Sequence, residues 1–206
     1  MSIEAVIFDI GNVLIEWQPE RFYDARIGEA RRRAMFAEVD LHGMNDRVDQ
    51  GQDFHDTVMA CAARYPKWRD EIAMWHDHWL EMAQPEIPES VAILRGLRAE
   101  GVPVFALSNF GIQTFALAEP VYPFLKEFDR RFISGTMGVT KPNAEIYRQV
   151  EVTSGIAPDR LLFTDDREEN IAAAAARGWQ VHLFEGPEGF AARLEDLGVP
   201  RQEAAR

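Results

Sequence analysis

The chain of 206 residues holds a single cysteine, Cys61, which excludes an internal disulfide and a thiolate-held metal cluster. Positive charge is also scarce: 22 Lys and Arg against 34 Asp and Glu leave a net charge of −12 at pH 7. Sequence-independent attraction to nucleic acid or to an anionic membrane surface is therefore disfavoured. A phosphate-bearing substrate would need local positive charge from a metal ion or a placed lysine. No uninterrupted apolar run approaches membrane-spanning length. The opening Met-Ser-Ile-Glu-Ala-Val has neither the basic stretch nor the cleavable apolar segment of a secretory leader. These absences point to a cytoplasmic protein with no nucleic-acid or membrane partner.

What the chain does have is a repeated local pattern. Residues 5–14, Ala-Val-Ile-Phe-Asp-Ile-Gly-Asn-Val-Leu, read as a buried strand that stops at one carboxylate, Asp9, followed by a Gly-Asn turn. Val102–Leu107 ends at Ser108-Asn109, Leu161–Thr164 ends at Asp165-Asp166, and Gln180–Phe184 ends at Glu185-Gly186-Pro187. Arg131–Ser134 is a weaker strand candidate. Helical stretches lie between them: one opening at Ile87-Pro88-Glu89 and closing at Gly101, then Asn143 to Gly155, Glu168 to Gly178, and Pro187 to Gly198. Such alternation predicts an α/β fold: a Rossmann-like, mostly parallel sheet with helices on both faces.

The stretch from Trp17 to Gln84 differs. Its apolar residues fall at helical spacing, it shows no clear strand, and it contains four of the five tryptophans: Trp17, Trp68, Trp75 and Trp79. It reads as a helical insertion, with those aromatics serving mainly as helix-bundle core. The expected organisation is an α/β core made of residues 1–16 and 85–206, with a helical cap at 17–84. The polar tail after Gly198 is expected to fray.

In an open parallel sheet, ligands bind at the carboxyl ends of the strands. Those ends present Asp9, Ser108 with Asn109, and Asp165 with Asp166, and Lys141-Pro142 lies in a Gly-rich loop between the last two sets. Each residue alone has an ordinary explanation as a helix cap, a turn or a solvated charge. Together, two adjacent acids converging on a third would repel unless a cation sat among them. Hard oxygen donors suit Mg²⁺.

The four motifs, Phe8-Asp9-Ile10-Gly11-Asn12-Val13-Leu14, Leu107-Ser108-Asn109, Lys141-Pro142 and Asp165-Asp166 with Asn170, resemble in order and spacing the haloacid dehalogenase superfamily. The insertion is placed like that superfamily's type-1 helical cap. The Asp-x-Gly-Asn-Val and Asp-Asp-x-x-x-Asn forms are most similar to the sugar-1-phosphate phosphatase branch. The second form also resembles the N-terminal phosphatase domain of soluble epoxide hydrolase. The resemblance implies a Mg²⁺-dependent phosphohydrolase acting on a small phosphorylated metabolite, such as a sugar phosphate, as a monomer or homodimer. Asp9 would be the nucleophile that forms an aspartyl-phosphate. Ser108 and Asn109 would hold the phosphoryl oxygens, and Lys141 would neutralise charge. Asp9, the Gly11 carbonyl and Asp166 would ligate the metal, with Asp165 and Asn170 supporting them.

One position departs from the pattern. Most phosphatases of this superfamily carry an acid–base Asp two residues after the nucleophile, where this chain has Gly11. Losing such help costs ~10²–10⁴ in rate, so the leaving oxygen is expected to depart with little protonation unless the insertion supplies an acid. Glu16, His42, His55 and His76 are the sequence candidates. Trp17 and Arg21, nearest to the turn, are candidates for substrate contact. Two alternatives stay open. One is a metal-independent 2-haloacid dehalogenase, to which the acidic pair would contribute nothing. The other is a weakened phosphate-binding or regulatory domain.

Overall fold

A computed structural model describes residues 2–202. The chain opens with β1 (Ala5–Phe8) and, after a turn, the short strand β2 (Ile15–Trp17). Six helices follow: α1 (Pro19–Ile27), α2 (Glu29–Glu38), α3 (Leu41–Asp49), α4 (Phe54–Arg64), α5 (Arg69–Asp77) and the one-turn α6 (Trp79–Met82). β3 (Ala83–Glu86) closes that segment. The remainder runs α7 (Pro88–Ala99), β4 (Val104–Ser108), α8 (Ile112–Ala118), β5 (Arg130–Ile133), α9 (Ser134–Met137), α10 (Ala144–Ser154), β6 (Leu161–Asp165), α11 (Glu168–Ala175), β7 (Gln180–Leu183) and α12 (Pro187–Asp196). Among the described residues, no helix is long and apolar enough to cross a membrane.

Five strands form one parallel sheet in the order β5-β4-β1-β6-β7. β1 is central, with Val6 opposite Val104 on one side and Leu162 on the other. Because side chains alternate along a strand, neighbouring residues feed different layers. Val6 and Phe8 join Val104, Ala106 and Leu162 in a cluster with Val91, Leu94 and Leu97 of α7 and Phe190 and Leu194 of α12. Ala5 and Ile7 join Phe105, Leu107, Leu161 and Phe163 against Ile146, Tyr147 and Val150 of α10 and Ala174 of α11. Each fully buried aliphatic or aromatic side chain contributes about 1.5–3 kcal/mol, so this two-faced burial fixes the strand register and hence which residues reach the carboxyl edge. The expected fold class, with helices on both faces, is what the chain adopts. The first cluster continues through Phe22, Tyr23, Met44 and Trp75 of the inserted helices.

Three local expectations need correction. The stretch from Trp17 to Gln84 is not free of strand: Ile15–Trp17 pairs antiparallel with Ala83–Glu86, tying the two ends of the insertion together. Pieces this short, one of them reading Ala-Gln-Pro-Glu, carry no apolar alternation to detect. The strand expected at 102–107 is shifted to Val104–Ser108, so Ser108 is its last residue, not the residue beyond it. The tail is also docked further than expected. Val199 is buried, and the Gln202 N–H donates to the Gly96 carbonyl at 3.1 Å. Residues 203–206 lie outside the described residues.

Candidate active site

The site is built outward from the turn after β1. The Asp9 N–H donates to the Thr164 carbonyl at 3.0 Å, which extends the β1–β6 pairing by one step and brings the Asp9 side chain to the carboxyl edge. The Ile10 carbonyl then accepts from the N–H groups of Leu14 (2.8 Å) and Ile15 (3.0 Å), and the Asn12 N–H donates to the Ile15 carbonyl at 2.7 Å. These bonds use the carbonyls of Ile10 and Ile15, not that of Gly11. Asn12 sits at φ 55°, a left-handed conformation that Asn tolerates better than most side chains. Its Oδ1 accepts from the Trp17 N–H at 2.9 Å and its Nδ2 donates to Asp166 Oδ2 at 3.0 Å. Sequence reasoning saw Asn12 only as a turn residue, yet it joins the turn, β2 and the acidic pair.

Lys141 is the electrostatic centre. Its ammonium group is buried, 2.8 Å from Asp9 Oδ1 and 2.6 Å from Asp165 Oδ2. The contact with Asp165 is a directed hydrogen bond. Asp9 Oδ1, by contrast, lacks a well-aligned donor, so the Lys141–Asp9 contact is an ion pair without full hydrogen-bond geometry. Burial raises the Asp9 pKa, Lys141 pulls it back and the Asp165 charge raises it again, leaving it at about 6. The Ser108 hydroxyl also stabilises the charged form. Burial works against charge on Lys141, but Asp165 and Asp9 outweigh it and its pKa is raised.

Asp165 is completely buried and its oxygens are fully engaged. Besides Lys141 they accept from Asn170 Nδ2 (2.9 and 3.0 Å) and from the Arg167 N–H (2.9 Å). Asp166 is half-buried, and its pKa is raised by that burial. Asn109 has a structural partner that the sequence did not show: its Oδ1 accepts from the Lys141 N–H at 2.8 Å and its Nδ2 donates to the Lys141 carbonyl at 3.0 Å. The amide thus splints the Lys141 peptide with its Oδ1 and one N–H, while Asn109 also lines the cavity.

A cavity of about 400 Å³ opens over these groups, lined by Asp9, Gly11, Asn12, Ser108, Asn109, Lys141, Asp166 and Asn170 from the core. The insertion adds Trp17, Glu20, His42, Asn45, Asp46, Asp49 and Trp79, and Glu16 and Arg167 also face it. Trp17 lines the cavity, its indole packed on Trp75 and Trp79 at centroid distances of 5.8 and 5.6 Å. Arg21 does not. Its guanidinium is exposed, bonded to Glu16 at 2.6 Å and to the Gln84 carbonyl, so it ties the strands at the two ends of the insertion. Of the acid–base candidates, Glu16 and His42 reach the cavity. His55 and His76 meet edge to face at 5.2 Å and are absent from the lining. Asp49 and Arg167 were not singled out by the sequence. Nothing local distinguishes a helix-terminal Asp from a solvated one.

Asp9, Asp165 and Asp166 each offer an oxygen, all within 4.8 Å of one another. One ammonium group cannot balance three carboxylates in a buried setting. The donors are all hard oxygens, and the buried Asn170 Oδ1 on the cavity wall has no partner. This donor set fits a hydrated divalent cation of the Mg²⁺ type.

A parallel sheet that gathers an aspartate, a buried lysine and an acidic pair at its carboxyl edge, beside an inserted helical segment, defines a Rossmann-like α/β enzyme. The chain belongs to the haloacid dehalogenase-like hydrolases, which its residues 3–178 match. It is similar to the sesquiterpene phosphatase astK of Aspergillus oryzae, 25% identical over 86% of this chain and 87% of that one. A HAD family enzyme of Bacteroides thetaiotaomicron shares the fold at a TM-score of 0.75, with 21% identity over 94% of this chain and 99% of that one. That enzyme has also been solved with magnesium and inorganic phosphate, at a TM-score of 0.70 and 22% identity over 88% of this chain and 93% of that one. The L-2-haloacid dehalogenase of Xanthobacter autotrophicus, with chloropropionic acid covalently bound, shares the fold at 0.61, with 19% identity over 98% of this chain and 90% of that one.

Proposed function

We propose that this hydrolase is a Mg²⁺-dependent phosphatase of small phosphate esters that works through an aspartyl-phosphate on Asp9. The observation that carries the reading is the buried cluster of Asp9, Asp165 and Asp166 around the single ammonium of Lys141. A phosphate dianion entering so acidic a site needs a further cation, whereas displacement of a halide from a carbon atom does not. The phosphatase and the magnesium–phosphate complex among its relatives agree with this.

Asp9 attacks phosphorus in line with the leaving oxygen, so that one difficult displacement becomes two easier ones. Lys141 keeps Asp9 ionised at neutral pH and neutralises charge on the transferring phosphoryl group. The Ser108 hydroxyl, beside Asp9, donates to a phosphoryl oxygen. Asn109 holds the Lys141 backbone, and Asp165 with Asn170 holds its ammonium end. Asp9, the Gly11 carbonyl and Asp166 would hold Mg²⁺; Asp166 has an oxygen that Asn12 leaves unengaged, whereas both oxygens of Asp165 are taken. When bound, the ion supplies charge neutralisation for the phosphoryl oxygens.

Residues 17–84 act in this reading as a cap that excludes water and shapes selectivity. Its Trp17 and Trp79 give the cavity an aromatic wall for the organic part of the ester, a sugar ring or a larger apolar group. The test is phosphate release from an ester panel with Mg²⁺ and with chelator, run beside halide release from 2-haloacids. Mg²⁺-dependent phosphate release without halide release is expected. Halide release that persists in chelator would establish the dehalogenase reading instead.

A further inference from the structure

We propose that Asp49, at the C-terminal end of α3, is the general acid and base that stands in for the carboxyl group missing at Gly11. This rests on the phosphatase reading above. Asp49 lines the same cavity as Asp9, Ser108 and Lys141, yet it comes from the insertion, 40 residues further along the chain.

Four observations single it out. First, it is the only acid of the cavity wall contributed by the insertion that is buried; Asp46 is exposed and Glu20 partly so. Second, among the described residues no cation pairs with it. Glu16 is held by Arg21, and Glu20 lies 3.4 Å from His42. Asp49 instead meets neutral donors: Asn45 Nδ2 at 2.9 Å and the Gly111 N–H. The amide of Asn45 is itself oriented, because its Oδ1 accepts from Trp75 Nε1 at 3.1 Å.

Third, its electrostatic surroundings favour a proton. Burial raises its pKa most, and Asp46 on the same helix and Asp9 across the cavity add to this. The Gly111 N–H and Lys141 oppose it, and the balance is about 7. A proton donor works best when its pKa lies near the working pH.

Fourth, the core fixes its position. Ser134 Oγ donates to the Asp49 carbonyl at 2.6 Å and accepts from the Phe110 N–H at 2.9 Å. Gly111 allows the close approach, since a Cβ there would stand 2.6 Å from Val48 Cγ1. Gly51 does the same, since its Cβ would stand 2.6 Å from the Gly135 carbonyl oxygen. The end of α3 is thus seated on the loop that follows Ser108 and Asn109, so Asp49 is held in register with the catalytic edge.

The proton balance closes over one turnover. As Asp9 forms its bond to phosphorus, the bond to the leaving oxygen breaks, and that oxygen takes its electron pair and the proton of Asp49. The Asp49 carboxylate then removes a proton from the water that attacks the aspartyl-phosphate. The bond between phosphorus and Asp9 breaks, inorganic phosphate leaves, and Asp49 is again protonated.

The experiment uses the full chain with Mg²⁺, comparing 4-nitrophenyl phosphate, whose leaving group needs no acid, with an alkyl phosphate. For Asp49→Asn, the nitrophenyl ester should give a burst of about one equivalent of nitrophenol, followed by turnover slowed ~10²–10⁴-fold, as expected for loss of the base. The alkyl ester should show no burst and a comparable loss, and the alkaline limb of its pH–rate profile near pH 7 should vanish. Asn45→Asp, which adds a like charge beside Asp49, removes its Nδ2 donor and keeps the acceptor for Trp75, should move that limb up by about one pH unit whatever its effect on the rate. Equal losses on both esters without a burst, or an unmoved limb in Asn45→Asp, would overturn the assignment. Wild-type enzyme that releases no phosphate from either ester would reject the phosphatase reading itself.

Discussion

Replacing Asp49 by Asn should make the folded protein more stable at alkaline pH and slightly less stable at acid pH. Asp49 has its pKa raised from the ordinary 3.8 to about 7, chiefly by burial, with Asp46 next. A carboxyl group whose pKa rises on folding contributes its stability below the unfolded value, and that contribution is lost as pH climbs through the folded value. At about 1.4 kcal/mol per pH unit, the charged form in the folded chain is disfavoured by ~4 kcal/mol at pH 8. The Asn side chain carries no charge and escapes that cost. It also turns one acceptor into a donor beside Asn45 and Gly111, a loss of about 1 kcal/mol. The variant should therefore be about 0.5 kcal/mol less stable at pH 4 and ~3 kcal/mol more stable at pH 8, crossing over at about pH 4.5 on the same basis. Asp9, with its own pKa at about 6, contributes a similar slope to both proteins and largely cancels in the difference. Urea unfolding of both proteins in chelator, from pH 4 to pH 8, measures that difference directly. A difference that stays flat across this range, or an Asn variant that is the weaker protein at pH 8, would refute the reasoning. The expected trade is the common one in which a strained catalytic group is retained at the expense of stability.

Four further outcomes follow from the geometry. Asp9→Asn should abolish turnover with the fold intact by circular dichroism, because an amide cannot form the acyl-phosphate; residual activity above about a tenth of wild type would exclude covalent catalysis by Asp9. Asp166→Ala should raise the Mg²⁺ concentration needed for half-maximal rate with little loss of stability. Asp165→Ala, by stripping the buried Lys141 of its directed partner, should cost about 3–5 kcal/mol of stability in urea unfolding. Gly11→Asp should fold, since a Cβ there meets nothing nearer than Trp17 Cβ at 4.0 Å. In the Asp49→Asn background it should raise alkyl phosphate hydrolysis by about tenfold or more, measured as steady-state phosphate release.

Much of the fold was written locally. Apolar runs ending at Asp9, Ser108 and Asp165 are strands because the alternation that buries Ile7 against α10 also buries Val6 against α7, and a residue just past such a run has to emerge at the sheet edge. The order of the four motifs carried the expectation of a hydrolase through their resemblance to the haloacid dehalogenase superfamily, and the convergence of strand ends in a parallel sheet placed them at one edge. The helical character of residues 19–82 was legible from spacing alone.

Contacts between residues distant in the chain were not legible. Arg21 looked like a substrate ligand from its nearness to the turn, but the antiparallel pairing of β2 with β3 brings the Gln84 carbonyl to it. Asn109 read only as a phosphate ligand, and its splinting of the Lys141 peptide arises from the loop that folds onto its amide. Asn12 has no helical or strand signal, and only the arrival of Asp166 gives its side chain a second partner. Asp49 ends an ordinary amphipathic helix. Its burial and its raised pKa exist only because Gly111 and Gly51 let that helix sit against the loop after β4 and the short helix α9. Sequence by itself determined which residues could lie at the catalytic edge, because strand periodicity and strand ends are local. Tertiary structure alone decided which of them keep a free functional group, because desolvation and pairing depend on neighbours brought together only by packing.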